Sequence, residues 1–240
     1  MPVSAVALRH PLLDALRVRH GFGVRGAPEP PDTRRPRQVH GSRVVRAEDL
    51  AQGERPQADA IVCAQRGTAI AVVTADCLPI LMATRDGRAV AAVHAGWRGL
   101  AAGVVEAGAL ALGSSTGGAD GEVAAQVAVI GPHIGRCCYE VDEPVLAALA
   151  RRYGAALDAF LAPSRAGHAF LDLAGVARHA LLGLGLEPGR VASLPGACTR
   201  CDPERFHSYR RDGASAGRLL HFIAVPAKAS NRVDTQNSPA

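Results

Sequence analysis

The chain has 240 residues, of which 48% are hydrophobic and only 4% aromatic, so a folded core must consist mainly of aliphatic side chains. The formal net charge is +5, and because Lys228 is the sole lysine, nearly all of the positive charge is arginine. These arginines are scattered without interleaved aromatic residues, and no apolar run reaches the roughly 18 residues of a membrane span, which argues against nucleic-acid and membrane partners. A signal peptide is not recognisable and six cysteines are typical of reduced thiols, so we expect a cytoplasmic protein.

Strand and helix patterns alternate along the chain with a hairpin among them, which predicts an α+β fold with mixed sheets. We expect a single domain over residues 1–226 and a disordered polar tail over 227–240. In chain order, the patterns predict a Pro- and Arg-rich loop (25–37), an extended segment (38–45), strands (58–63, 68–73, 78–83, 89–93), a helix (100–112), a loop (113–121), a strand (123–130), a helix capped by Asp142 (143–161), a strand (170–173) and a helix (173–184).

The hairpin predicted around Asp86-Gly87 carries the clearest chemical signal. Two apolar runs flank this turn dipeptide, and antiparallel strands joined by a tight turn return to the same place. Cys77 and His94 lie at the open end of the hairpin, so the sequence predicts that a thiol and an imidazole are neighbours. The only tryptophan, Trp97, follows within Gly-Trp-Arg-Gly.

Two interpretations of this pair remain open on the residues alone. With His40, Cys77 and His94 would form a set of two nitrogen ligands and one sulfur ligand, which is typical of a catalytic zinc site with an open position. Alternatively, a Cys77 thiolate beside His94, oriented by Asp76, would be the dyad of a cysteine hydrolase. The spacings of the three residues match no local metal-binding motif and do not decide between them.

The other cysteines and the C-terminal arginines give weaker signals. Cys137 and Cys138 are adjacent, so on a strand their side chains would point apart, and we expect buried thiols that pack beneath a turn. The CxxC pair Cys198 and Cys201 has no second CxxC pair, which favours a structural or incidental role. The paired arginines at 210–211 could bind a phosphate group, but the spacing favours an ion pair with Asp212 at the end of a strand.

Five motifs occur in order along the chain: QVHG, TADCLPI, VHAGWRG, GPHIGRCCYEV and CTRCDPERFHSYRRDGASAGR. Together, over about residues 21–225, they resemble the YfiH-like family, whose members have been called polyphenol oxidases, purine nucleoside phosphorylases and peptidoglycan editing factors. The resemblance implies a four-layer α/β/β/α arrangement, shared distantly with cytotoxic necrotizing factor. It also implies that His40, Cys77 and His94 are zinc ligands.

The activity implied by the resemblance is phosphorolysis of adenosine, inosine, guanosine or methylthioadenosine to the free base and ribose 1-phosphate, with adenosine deamination as a second activity. The expected partners are therefore a purine nucleoside and phosphate. The residues expected to act in catalysis are Cys77, which is also a metal ligand, Asp76 and Arg98, and those expected to contact substrate or phosphate are Arg25, Trp97 and Arg210. Asp76 could serve as a general acid or base, and a role as a buried structural carboxylate is equally consistent with the sequence.

One departure from the family pattern concerns the segment before His40. The residues around Arg25 resemble the start of an early FxTRxGG motif, but His40 follows Gly26 after only 14 positions, where the family carries a longer segment. Alternative functions are a copper-dependent polyphenol oxidase, a peptidoglycan precursor editing enzyme, or a non-catalytic partner protein. The absence of HxH motifs argues against a multicopper centre, although thiolate and imidazole also bind copper.

Overall fold

The computed structural model describes residues 6–115, 123 and 126–227. Of the predicted loop at 113–121, residues 116–121 lie outside this range, and so does the predicted tail apart from Ala227. The strands are β1 (Arg19–Gly21), β2 (Val44–Arg46), β3 (Ala60–Cys63), β4 (Ala69–Thr74), β5 (Leu78–Thr84), β6 (Val90–Ala95), β7 (Gln126–Ile130), β8 (Glu140–Asp142), β9 (Leu161–Pro163), β10 (His168–Leu171), β11 (Val191–Ser193) and β12 (Leu219–Ala224). The α-helices are α1 (Pro11–Asp14), α2 (Trp97–Ala102), α3 (Val104–Ser114), α4 (Glu143–Tyr153), α5 (Leu173–Gly183) and α6 (Tyr209–Asp212).

A mixed six-stranded sheet with the order β11-β7-β5-β6-β3-β2 forms the centre of the fold. The strands β2 and β3, and β7 and β11, pair in parallel, while the pairs between them are antiparallel. A second sheet, β1-β12-β4, is antiparallel throughout, and a third, β8-β10-β9, lies at the edge of the helical layer. The expected α+β class with mixed sheets is confirmed.

The central sheet is buried on both faces, which explains why its strands are continuous apolar runs. Along β5, Ile80 and Met82 belong to the core shared with helices α3, α4 and α5, whereas Leu81 and Ala83 belong to the core shared with the smaller sheet. Because successive side chains of a strand alternate between faces, one strand supplies both cores. Helix α1 contributes Leu13 to this second core, where the helix contacts β1 and β7.

Two predicted helices are shorter or broken, in both cases at a glycine. The helix predicted over 100–112 is divided into α2 and α3 by Gly103, whose φ of +84° is left-handed. The helix predicted over 143–161 ends at Tyr153, because Gly154 has a φ of +56° and the chain continues as a 3₁₀ turn. Asp142 precedes that helix as expected, but its side chain makes no capping hydrogen bond. In contrast, Asp172 does cap α5, by accepting from the backbone N–H of Gly175.

None of the helices in the described ranges combines the length and the apolar character that crossing a bilayer requires.

Candidate metal centre and active-site cavity

The hairpin of β5 and β6 places Cys77 and His94 side by side, as the sequence predicts. Cys77 directly precedes β5, and His94 is the penultimate residue of β6, where it pairs with Pro79. Gly96 lies opposite Cys77 at the open end: a Cβ at this position would lie 2.9 Å from the Cys77 Sγ and 3.2 Å from the His40 Cδ2. The glycine therefore leaves the space in which the thiol and the two imidazoles meet.

His40 reaches the hairpin from an irregular segment and not from a strand. Of the extended segment predicted over 38–45, only Val44 and Val45 pair in a sheet, as part of β2, and His40 has a left-handed φ of +61°. Such a φ is uncommon outside glycine and persists only where the surroundings fix it. Here Gln38 bonds both amide atoms to the backbone of Val73 at 2.8 Å, and Asp59 accepts from the backbone N–H of His40 at 2.9 Å.

Asp59 is a fully buried carboxylate that organises the whole set and that sequence reasoning missed. It accepts from the N–H groups of Val39, His40 and Gly41 and forms a 2.8 Å contact with the Nδ1 of His94. This contact leaves the Nε2 of His94 as its free ligand atom, in the carboxylate–histidine arrangement that supports metal ligands. The only signal in the sequence was an acidic residue inside an otherwise apolar strand run.

His40, Cys77 and His94 fit a metal ion by both geometry and chemistry. One ligand atom from each lies within 4.8 Å of the others, the His40 Nε2 is 4.0 Å from the Cys77 Sγ, and the two imidazoles pack edge to face. Two nitrogen donors and one sulfur donor, fixed from behind and open on the cavity side, match a catalytic zinc site. The three side chains are therefore arranged as a metal site requires.

The pKa values of Cys77 and His94 are shifted by their neighbours in this set. Burial opposes ionisation of Cys77, but hydrogen bonds from His40 and His94 outweigh burial and lower the pKa of Cys77 to about 6. Burial likewise opposes the charged form of His94, but Asp59 and Cys77 outweigh it and raise the pKa of His94 to about 9. Without a metal, a thiolate therefore lies beside an imidazolium at neutral pH. The thiolate is the form of cysteine that binds metals and attacks electrophiles.

A cavity of about 610 Å³ opens above this set and is rich in arginine. Trp97 and Arg98 line it, and the guanidinium of Arg98 stacks over the indole at 4.2 Å from the ring centroid. Arg210 also lines it, with its guanidinium 5.1 Å from the ring centroid of Tyr139, and donates to the carbonyl of Glu140. The arginines that line the cavity are Arg37, Arg55, Arg98, Arg210 and Arg218.

Two of the residues expected to act at the site, Asp76 and Arg25, are held in contacts with other protein groups. Asp76 lines the cavity, but one carboxylate oxygen accepts from the Thr199 hydroxyl at 2.5 Å and the other from the Arg210 backbone N–H at 2.6 Å. It thus joins two loops of the cavity wall. Arg25 lies outside the cavity lining, where its guanidinium donates to the carbonyl of Phe206 and pairs with Asp212 at 3.6 Å.

The expectation that Cys137 and Cys138 are buried thiols is wrong, because Cys137 is exposed and Cys138 is only half-buried. Cys137 and Cys138 lie in a turn after β7 and not on a strand, so both side chains reach the same point. There they meet Cys198 and Cys201, and the four Sγ atoms lie within 4.8 Å of one another. The CxxC spacing was the signal for this second cluster, but its partner pair is adjacent in sequence and not itself a CxxC.

Comparison with known proteins identifies the family. A family model described as multi-copper polyphenol oxidoreductase laccase matches residues 24–226. The chain is 36% identical over 189 residues to the purine nucleoside phosphorylase YfiH of Escherichia coli, covering 78% of this chain and 71% of that protein. The chain belongs to the YfiH family. A purine nucleoside phosphorylase of Xylella fastidiosa is 40% identical over 183 residues, covering 75% of this chain and 67% of the relative.

Solved structures agree with this YfiH-family fold. The Bacillus licheniformis protein YfiH superposes with a TM-score of 0.78 at 25% identity, covering 87% of this chain and 93% of that one. The Neisseria meningitidis protein NMB0706 superposes with a TM-score of 0.72 at 36% identity, covering 81% and 75%. The names in this YfiH family support an enzyme of the purine nucleoside phosphorylase or polyphenol oxidase kind, with candidate metal ligands at His40, Cys77 and His94.

Proposed function

We propose that the protein is a zinc-dependent purine nucleoside phosphorylase. The observation that carries the proposal is the combination of a His-Cys-His ligand set at the base of a cavity with arginine on its walls. Relatives named purine nucleoside phosphorylase support it. In this reaction an oxygen of phosphate bonds to C1′ of the ribose while the bond from C1′ to the purine nitrogen breaks. The electron pair goes to the purine, which takes up a proton.

The phosphate is held by the arginines of the cavity, with Arg98 as the principal contact. Among the described residues, no carboxylate or carbonyl accepts from the guanidinium of Arg98, so its donors are free for an anion. Arg210 is fixed by the Glu140 carbonyl through one nitrogen and offers the others. A planar guanidinium matches two phosphate oxygens at once, which orients the attacking oxygen as well as binding it.

The nucleoside is held by aromatic side chains beside the ligand set. Trp97 and Tyr139 both line the cavity and offer flat apolar surface to a purine. Burial raises the pKa of Tyr139, so its hydroxyl keeps its proton and can donate to the purine as negative charge develops there. A volume of about 610 Å³ is within the range of small-molecule sites and holds a nucleoside together with phosphate.

His40, Cys77 and His94 would hold the zinc ion, which supplies Lewis acidity toward a substrate oxygen or nitrogen when bound. The same Lewis acidity serves the second activity that we propose for this site, adenosine deamination. We favour zinc over a blue-copper ion with an axial methionine or glutamine, because Met82 is buried in the core and Gln38 uses both amide atoms on Val73. Neither side chain is available as the axial ligand of a blue-copper site.

The experiment that tests the phosphate assignment compares Arg98→Ala with Arg88→Ala in phosphorolysis of inosine. Arg88 is an exposed arginine at the far turn of the hairpin, so its removal controls for loss of one positive charge. Loss of a charged hydrogen-bond pair predicts a KM for phosphate raised by about tenfold or more in Arg98→Ala only. A KM for phosphate that is unchanged in both variants contradicts the assignment.

A further inference from the structure

The second cysteine cluster, formed by Cys137, Cys138, Cys198 and Cys201, is separate from the site described above. Its members come from two segments, the turn after β7 and the loop between β11 and α6. The Sγ of Cys137 lies 3.6 Å from that of Cys138, 3.7 Å from that of Cys198 and 3.6 Å from that of Cys201. The Sγ atoms of Cys138 and Cys201 are 3.3 Å apart.

These distances are close to the edges of a metal-centred tetrahedron. A zinc–sulfur bond of about 2.3 Å requires sulfur atoms about 3.8 Å apart in a tetrahedral tetrathiolate site. A single disulfide would join only two of the thiols, whereas one metal ion binds all four at once. Closed sets of four thiolates are typical of structural zinc, in contrast to the three-ligand set of His40, Cys77 and His94.

The surroundings of the cluster supply the outer interactions that a tetrathiolate needs. Four thiolates around a divalent ion carry a net charge of about −2. The backbone N–H of Gly135 donates to the Cys198 Sγ at 3.3 Å, and the guanidinium of Arg200 donates to the Cys138 Sγ at 3.6 Å. A Cβ at Gly135 would lie 3.3 Å from both the Cys137 Sγ and the Cys198 Cβ, so the glycine permits this close approach. Such donors orient ligands and offset their charge.

We infer that Cys137, Cys138, Cys198 and Cys201 bind a soft divalent cation of the zinc class as a closed structural site. The ion cross-links the two segments that shape the active-site cavity. Thr199, between two of the ligands, donates from its backbone to the carbonyl of His133 at 2.9 Å and from its hydroxyl to Asp76. Tyr139, directly after Cys138, lines the cavity. The site therefore fixes the cavity wall and takes no part in the reaction itself.

The test begins with the metal content of the unmodified protein, purified without chelators. We expect two zinc equivalents per chain, of which one is lost in the double variant Cys198→Ser/Cys201→Ser and the other in Cys77→Ser. The control is Cys63→Ser, because Cys63 is buried in the core and belongs to neither ligand set. The hydroxyl of the introduced serine keeps the hydrogen bond to the Gln65 carbonyl. This variant should keep both equivalents.

Reconstitution with cobalt(II) assigns the ions to their sites. The intense thiolate-to-cobalt charge-transfer bands of a tetrathiolate should persist in Cys77→Ser and disappear in the double variant. A single zinc equivalent in the unmodified protein, absent from Cys77→Ser, overturns the inference. So does a Cys138–Cys201 disulfide in freshly prepared protein, detected by its mass loss of two hydrogen atoms. Because neither readout needs nucleoside turnover, failure here is distinct from failure of the proposed activity.

Discussion

Asp59 supports two of the candidate metal ligands, His40 and His94, so Asp59→Asn perturbs both at once. The carboxylate accepts from the backbone N–H groups of His40 and Gly41 through different oxygens, and it pairs with His94. Asparagine has the same shape but only one acceptor oxygen. In either orientation of the asparagine amide, its NH2 group faces the backbone N–H of His40 or of Gly41, in a site from which water is excluded.

The expected loss of stability in Asp59→Asn follows from the raised pKa of His94. Its pKa is raised to about 9 from 6.5, and a shift of this size corresponds to about 3 kcal/mol of stabilisation of the metal-free protein, shared between Asp59 and Cys77. Because the folded-state pKa is raised, this stabilisation is complete below pH 6.5 and is lost as the pH rises through about 9. Asp59→Asn should therefore cost about 2–3 kcal/mol near pH 6 and less at pH 10. Metal affinity should fall about 10- to 100-fold.

The assay is urea unfolding of the chelator-treated protein at both pH values, followed by zinc competition against a chromophoric chelator. Asp86→Asn is the matched control, because Asp86 also accepts hydrogen bonds, from Thr84 and the Arg88 backbone, but at the exposed far end of the hairpin. It should leave zinc affinity unchanged. Zinc affinity within twofold of the unmodified protein in Asp59→Asn would refute the supporting role of this carboxylate.

Three further substitutions follow from the packing and the charges. Gly96→Ala places a Cβ 2.9 Å from the Cys77 Sγ, so zinc affinity in the chelator competition should fall at least about tenfold, and an unchanged affinity contradicts the close approach. Gly131→Ala places a Cβ 2.1 Å from the Cδ1 of the fully buried Phe22, and urea unfolding should show a loss of about 2 kcal/mol or more; an unchanged midpoint would be incompatible with this packing. Burial, helped by the charge of His94, lowers the pKa of His221 to about 3, so on acidification the unfolded chain takes up a proton that the folded chain does not. Between pH 6.5 and 5, the free energy of unfolding of the unmodified protein should therefore fall by about 2 kcal/mol more than that of His221→Gln. Equal decreases in urea unfolding would show that His221 is charged in the folded protein.

The hairpin was predictable because its signals are local. The Asp86-Gly87 turn and its two apolar runs fix the register by themselves, and the register fixes the positions of Cys77 and His94. The strands of the central sheet were recognisable for a related reason, since burial on both faces leaves continuous apolar runs. The third ligand, His40, depended on the family resemblance, because its spacing from the hairpin has no local meaning.

The remaining features depend on contacts between distant segments. Nothing near Asp59 in sequence indicates that its carboxylate binds the backbone of residues 39–41 and His94. The break between α2 and α3 occurs at Gly103 within a run of helix formers, where the local pattern favours one continuous helix. The cysteines at 137–138 meet those at 198 and 201 only because two loops converge, and cysteine spacing alone cannot reveal such convergence.

The proposed phosphorylase transfers ribose from a purine to phosphate in the cavity above His40, Cys77 and His94. The most direct measurement is phosphorus NMR of the zinc-loaded protein incubated with adenosine or inosine and inorganic phosphate. We expect a growing ribose 1-phosphate resonance, matched by an equal amount of free base, that is absent when phosphate is omitted and absent in Cys77→Ala. Base release that is independent of phosphate, or oxygen uptake with phenols by a protein that leaves both nucleosides intact, would contradict it.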